Sequence, residues 1–66
     1  MSNISNDQKY FLAAMSIAKA IKDISETDNL NLGCRLMDIL IDVVKCMEPD
    51  TRDIFEKWIN KNEEKL

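Results

Sequence analysis

The longest apolar pattern in the chain runs from Leu30 to Met47, where apolar residues cover more than half of a helix circumference. Its central stripe, flanked by Met37 and Val44, consists of Leu32, Leu36, Ile39, Leu40, Val43 and Met47. A narrow polar strip lies opposite and consists of Arg35, Asp38, Asp42 and Lys45. An arc this wide predicts a helix over about 31–47 that neighbours contact on two sides.

Apolar residues at spacings of three and four also predict a first helix over about 6–25. Its stripe consists of Tyr10, Ala14, Ile17, Ala18, Ile21 and Ile24. Ser5, followed three residues later by Gln8, fits a capping box at the start of this helix. The connection 25–31 is rich in helix-capping residues, and Asp28, Asn29 and Asn31 are all candidate N-caps for the second helix.

The single proline, Pro49, separates the second helix from a third, predicted over about 50–62. The apolar edge of this third helix consists of Ile54, Phe55, Trp58 and Ile59. The spacing of apolar residues favours helix throughout. The sequence therefore predicts an all-α fold in one domain, residues 1–66, made of an antiparallel helical hairpin and a shorter C-terminal helix folded across it.

A chain of 66 residues buries a small core, and such domains usually gain stability from disulfides, a metal or a partner subunit. The sequence contains no histidine, so we expect no metal site and no cofactor. Cys34 and Cys46 lie on one predicted helix, about 18 Å apart along its axis, which is too far for a disulfide between them. We therefore expect a homodimer, formed through the first and second helices.

Charge and hydropathy narrow the class of partner. The net charge is −3, whereas a surface that contacts many phosphates normally has a basic excess, so we expect no nucleic-acid partner. No apolar run approaches the roughly 20 residues of a membrane span, and residues 1–6 carry no signal-peptide pattern. Two isolated cysteines suit a reducing compartment. These features predict a small acidic protein of the cytoplasm without membrane contact.

Four apolar residues are candidates for a subunit or partner interface. Leu12 lies almost opposite the Ile17 and Ile21 stripe of the first helix, and Met15 lies beside it. Leu12 could equally be an ordinary exposed leucine. Met37 and Ile41 widen the apolar arc of the second helix and could be core fillers, a homodimer seam or a site for another protein.

Phe55 and Trp58 form an aromatic pair on the third helix. Tryptophan is common in binding hot spots, but in so small a domain we expect Trp58 to be the largest side chain of the core. The sequence leaves open whether this pair belongs to the core or to an interface.

The chain has no phosphate-binding loop, no CxxC pair and no nucleophile elbow, so we expect no enzymatic activity and no catalytic residue. The leading hypothesis is a regulatory or adaptor protein that binds another protein through apolar helix faces, as phage and plasmid inhibitors and connector proteins do. One alternative is a helix-turn-helix-like DNA-binding regulator, although Asp50 and Asp53 would then face the phosphates. Another is a structural subunit of a larger assembly.

Overall fold

The computed structural model describes the backbone of residues 5–63 and the side chains of residues 5–61, and all regular structure within them is helical. The three helices are α1 (Asn6–Ser25), α2 (Leu30–Lys45) and α3 (Pro49–Glu63). The predicted all-α, three-helix fold is thus confirmed. Residues 1–4, where we predicted no targeting sequence, lie outside the described part of the chain.

The predicted capping box starts α1. The backbone N–H of Gln8 donates to Ser5 Oγ at 3.2 Å, and the backbone N–H of Ser5 donates to Gln8 Oε1 at 3.2 Å. Two N–H groups that a helix start leaves without partners are thereby satisfied. At the other end of α1, the hydroxyls of Ser25 and Thr27 donate to the carbonyls of Lys22 and Ile24, both at 2.6 Å.

Of the three predicted candidates, Asn29 is the N-cap of α2. Its Oδ1 accepts a hydrogen bond from the backbone N–H of Leu32 at 3.1 Å. At the C-terminal end, α2 stops at Lys45, two residues before the predicted end. The N–H groups of Cys46 and Met47 donate to the carbonyls of Val43 and Val44, so the last turn tightens before Pro49 begins α3.

The three helices pack side by side. At one end of the hairpin the backbone N–H of Glu48 donates to Asp7 Oδ1 at 2.7 Å, and at the other end Ile24 lies against Gly33, so α1 and α2 are antiparallel. The Phe55 ring meets the Phe11 ring edge-on, with ring centroids 5.6 Å apart. Because its start also lies at Asp7, α3 runs parallel to α1 along one side of the hairpin.

The core is small and centred on Phe55, which is 2% exposed. The other buried apolar residues of the described part are Ala14, Ala18, Leu40 and Met47. Trp58 stacks on Phe55 with ring centroids 5.7 Å apart, but it is only partly buried. Trp58 thus packs against the core, while Phe55 is the side chain at its centre.

Several residues that we assigned to apolar stripes are exposed: Tyr10, Leu32, Ile39 and Ile54. Their exposure has one physical cause. The hairpin has two broad sides, and α3 covers only the side that carries Phe11. Apolar residues turned toward the other side, or toward the outer edge of α3, are therefore only partly covered by the same chain.

Candidate interaction surfaces

The described residues contain no group of three or more side chains able to hold a metal ion. Cys34 and Cys46 are both free and exposed on α2. Among the described helices, none combines the length and the hydropathy needed to cross a bilayer. Several large apolar side chains are exposed, and they lie in distinct places on the three helices.

Leu12 lies at the seam between α1 and α3 and is 56% exposed. With Ile54 it borders an open groove of about 480 Å³, whose other lining residues are Gln8, Phe11 and Thr51. Ile54 is 58% exposed, so two large apolar side chains face solvent across one groove. We call this groove the α1–α3 groove.

Met15 lies on the same seam but deeper. It is half-buried and packs against the core. It also lines a hollow with Trp58, next to the polar residues Ser16, Lys19, Lys22 and Asp23 of α1. Met15 thus supports α3 with part of its side chain and leaves the rest exposed.

Met37 and Ile41 lie one turn apart on α2, and each is 48% exposed. Ile41 borders a cavity between α2 and α3 that Phe55 and Ile59 also line. Met37 borders a second cavity at the turn end of the hairpin, with Ile21, Ile24 and Cys34. The two residues form one continuous apolar edge of α2, which we call the α2 edge.

The structure therefore does not bring the four predicted interface residues together. Leu12 and Met15 lie on the α1 flank of α3, and Met37 and Ile41 lie on its α2 flank. They form two separate surfaces with α3 between them. One flat partner surface could not contact all four residues at once.

Sequence reasoning missed three of the most exposed apolar residues. Leu30 is 78% exposed at the start of α2 and lies in the cavity that Met37 borders. Ile54 and Ile39 were assigned to buried stripes. The signal that could have identified Ile39 was the width of the α2 arc, which is more than α1 and a short third helix can cover.

A further apolar surface lies on the side of the hairpin that α3 leaves open. At 100° per residue, Ile39 points about 160° away from Ile41 around α2. We call this surface the hairpin face; it consists of Tyr10, Ala13, Ile17 and Ala20 from α1 and Leu32, Leu36, Ile39 and Val43 from α2. Tyr10, Ala13, Leu32 and Ile39 are exposed, and the other four are half-buried, with Ile17 and Val43 also packed against the core. None of the eight is charged.

The α2–α3 turn bears on the helix-turn-helix alternative. Arg52 is the only basic residue in the first two turns of α3. Its guanidinium donates to the carbonyls of Val44, Lys45 and Met47 at 3.3, 3.4 and 3.1 Å. Arg52 is thus engaged by the end of α2, while Asp50 and Asp53 remain exposed. This arrangement disfavours contact with phosphates.

Comparisons with known proteins give no relative: no family model, no curated protein and no solved structure matches this chain.

Proposed function

We propose that this chain is a small non-enzymatic adaptor or regulator of the cytoplasm. It acts by binding another protein through apolar helix surfaces, and it does so as a homodimer formed through α1 and α2. The observation that carries the proposal is the amount of apolar surface that the three helices leave uncovered.

Large apolar side chains are exposed on all three helices. They are Tyr10 and Leu12 of α1, Leu30, Leu32, Met37, Ile39 and Ile41 of α2, and Ile54 of α3. Exposed apolar patches of this kind mark surfaces that bind other proteins.

The α1–α3 groove and the α2 edge are the surfaces we assign to the other protein. Leu12 and Ile54 present apolar walls on either side of the groove, which suits the apolar face of an amphipathic helix. Met37 and Ile41 are adaptable or branched side chains on an exposed helix edge. Both surfaces stay accessible when a second copy occupies the opposite side of the hairpin.

A capture experiment with matched variants tests the proposal. The tagged chain, Leu12→Glu and Lys19→Glu are each recovered from lysate of the native host, with and without nuclease. Both substitutions place a glutamate at an exposed position of α1, but Lys19 lines neither the α1–α3 groove nor the hairpin face. We expect a stoichiometric protein companion with the wild type and Lys19→Glu, and its loss with Leu12→Glu.

Other outcomes would reject the proposal. A companion that disappears with nuclease would indicate the DNA-binding alternative. Sharp self-assembly to high mass in sedimentation would indicate a structural subunit. A companion that binds Leu12→Glu as well as the wild type would show that the α1–α3 groove is not its binding site. The same capture with Met37→Glu would then test the α2 edge.

A further inference from the structure

We propose that the hairpin face binds the hairpin face of a second copy of this chain, with a two-fold axis that crosses the helices. The four helices of two hairpins then form one apolar core, and each copy's α3 lies on the outside. This inference rests on the homodimer of the proposed function and assigns it a surface and an orientation.

The first support is the chemistry of the hairpin face. Its residues recur at spacings of three and four on both helices, so they form two parallel stripes on one side of the hairpin. The stripes contain no charge, and Ile39 at the centre of the α2 stripe is 48% exposed. Alanines at two of the four α1 positions would allow a second helix to approach closely.

The second support is the charge at the two outer edges of the face. Lys9 and Asp23 lie on one line of α1, and Arg35 and Asp42 lie on one line of α2; all four are exposed. Each of these two lines therefore carries a positive charge at one end and a negative charge at the other. Asp38, also exposed, lies between Arg35 and Asp42 in sequence but points about 40–60° further around α2, away from the hairpin face. When the same helix of a second copy is placed antiparallel, Lys9 meets Asp23 of that copy and Arg35 meets its Asp42.

One axis can satisfy both edges. The midpoint between Lys9 and Asp23 is position 16 of α1, and the midpoint between Arg35 and Asp42 falls between positions 38 and 39 of α2. Asp7 is level with Glu48 and Ile24 is level with Gly33, so position 16 is level with about position 40. The two midpoints differ by about 2 Å along the helices. A single two-fold axis near Ile39 therefore aligns both sets of charges.

A two-fold axis that lies in the interface but runs along the helices fits these charges less well. An axis along the helices would place Lys9 against Asp42 of the second copy. Lys9 is level with about position 46 of α2, so the two charges would be displaced by about 6 Å along the helices. The crossing axis also places each Ile39 beside its own symmetry mate, which closes the centre of the face with an apolar contact.

Sedimentation equilibrium of the full chain with two matched variants tests the surface. Ile39 and Met37 have the same exposure and lie two residues apart on α2, but they point to opposite sides of it. We expect the wild type to be a dimer. Ile39→Asp should raise the dimer dissociation constant on the order of 100-fold or more, because it places an unpaired charge at the axis. Met37→Asp should change it by less than about threefold.

Surface charge swaps test the orientation without touching the apolar residues. Arg35→Asp should weaken the dimer by roughly tenfold, since two edge pairs become repulsive. Adding Asp42→Arg to Arg35→Asp should restore the dimer, because the crossing axis pairs these two positions. Rescue by Asp23→Arg in place of Asp42→Arg would instead show the axis along the helices and overturn the orientation.

The outcomes separate this inference from the proposed function. If the wild type is a dimer and Ile39→Asp dimerises equally well, the hairpin face is not the dimer interface, whatever Met37→Asp does. The homodimer of the proposed function would then form through another surface. A wild-type chain that stays monomeric up to millimolar concentration would overturn both the inference and the homodimer. Circular dichroism shows whether Ile39→Asp keeps its helices. If it does not, the charge swaps at Arg35 and Asp42 still test the interface, because they leave the apolar residues unchanged.

Discussion

Asp7, in the first turn of α1, accepts a hydrogen bond from the backbone N–H of Glu48 at 2.7 Å, across 41 positions of the chain. Its second carboxylate oxygen accepts a hydrogen bond from the hydroxyl of Thr51. Glu48 directly precedes α3 and Thr51 is its third residue, so one carboxylate from α1 caps the start of a distant helix. This contact holds the open end of the hairpin to α3.

Removing the Asp7 carboxylate should therefore destabilise the domain. We expect Asp7→Ala to lower the free energy of unfolding by about 1–2 kcal/mol, as for the loss of a strong N-cap. Urea denaturation followed by circular dichroism measures this, with Asp38→Ala on the exposed polar strip as the control. Thr51→Val combined with Asp7→Ala in a double-mutant cycle should show coupling between the two positions. Additive effects would contradict the cap.

The Arg52 guanidinium holds the turn between α2 and α3, because three carbonyls at the end of α2 accept its hydrogen bonds. We expect Arg52→Ala to cost about 1–2 kcal/mol and Arg52→Lys to recover only part of it, because lysine lacks the planar fork. Thermal unfolding measures both variants. Lys57→Ala removes a basic residue whose ion pair with Asp53 is exposed, and it should have little effect. Equal stability of Arg52→Ala and the wild type would show that these hydrogen bonds are dispensable.

Phe55 and Ile54 are neighbours in sequence with opposite environments, 2% and 58% exposed. Phe55→Ala should cost about 3–5 kcal/mol, because it empties the centre of the core. Ile54→Ala should stay within about 0.5 kcal/mol. Chemical denaturation distinguishes them. If Phe55→Ala does not fold, Phe55→Leu provides a milder change that should still be clearly less stable than Ile54→Ala.

Gly33 lies inside α2 without a positive φ, so no backbone feature requires glycine there. A Cβ at this position would lie 3.9 Å from Ile24 Cγ2, an ordinary van der Waals contact. Gly33→Ala should therefore stabilise the domain by about 0.5–1 kcal/mol through helix propensity. The melting temperature should rise by about 2–8 °C. A lower melting temperature would indicate that α1 and α2 must approach more closely than this geometry implies.

Local sequence rules were sufficient for the helices. The Ser5 and Gln8 capping box begins α1 where predicted, and Pro49 begins α3 one residue before the predicted start. These features depend on residues three or four positions apart, so they can be read without knowledge of the fold. The N-cap of α2 was narrowed to three residues by the same rules, and only the turn geometry selected Asn29.

The number, order and approximate bounds of the helices follow from the amino-acid sequence alone, as does the apolar character of α2. Which apolar residues are buried depends on how the helices pack. Helical periodicity places Ile39 and Ile41 on opposite flanks of α2, but it does not say which flank receives α3. That choice depends on contacts between residues far apart in sequence, such as Asp7 with Glu48 and Phe11 with Phe55. Those contacts place α3 on the Ile41 flank and leave the Ile39 flank open.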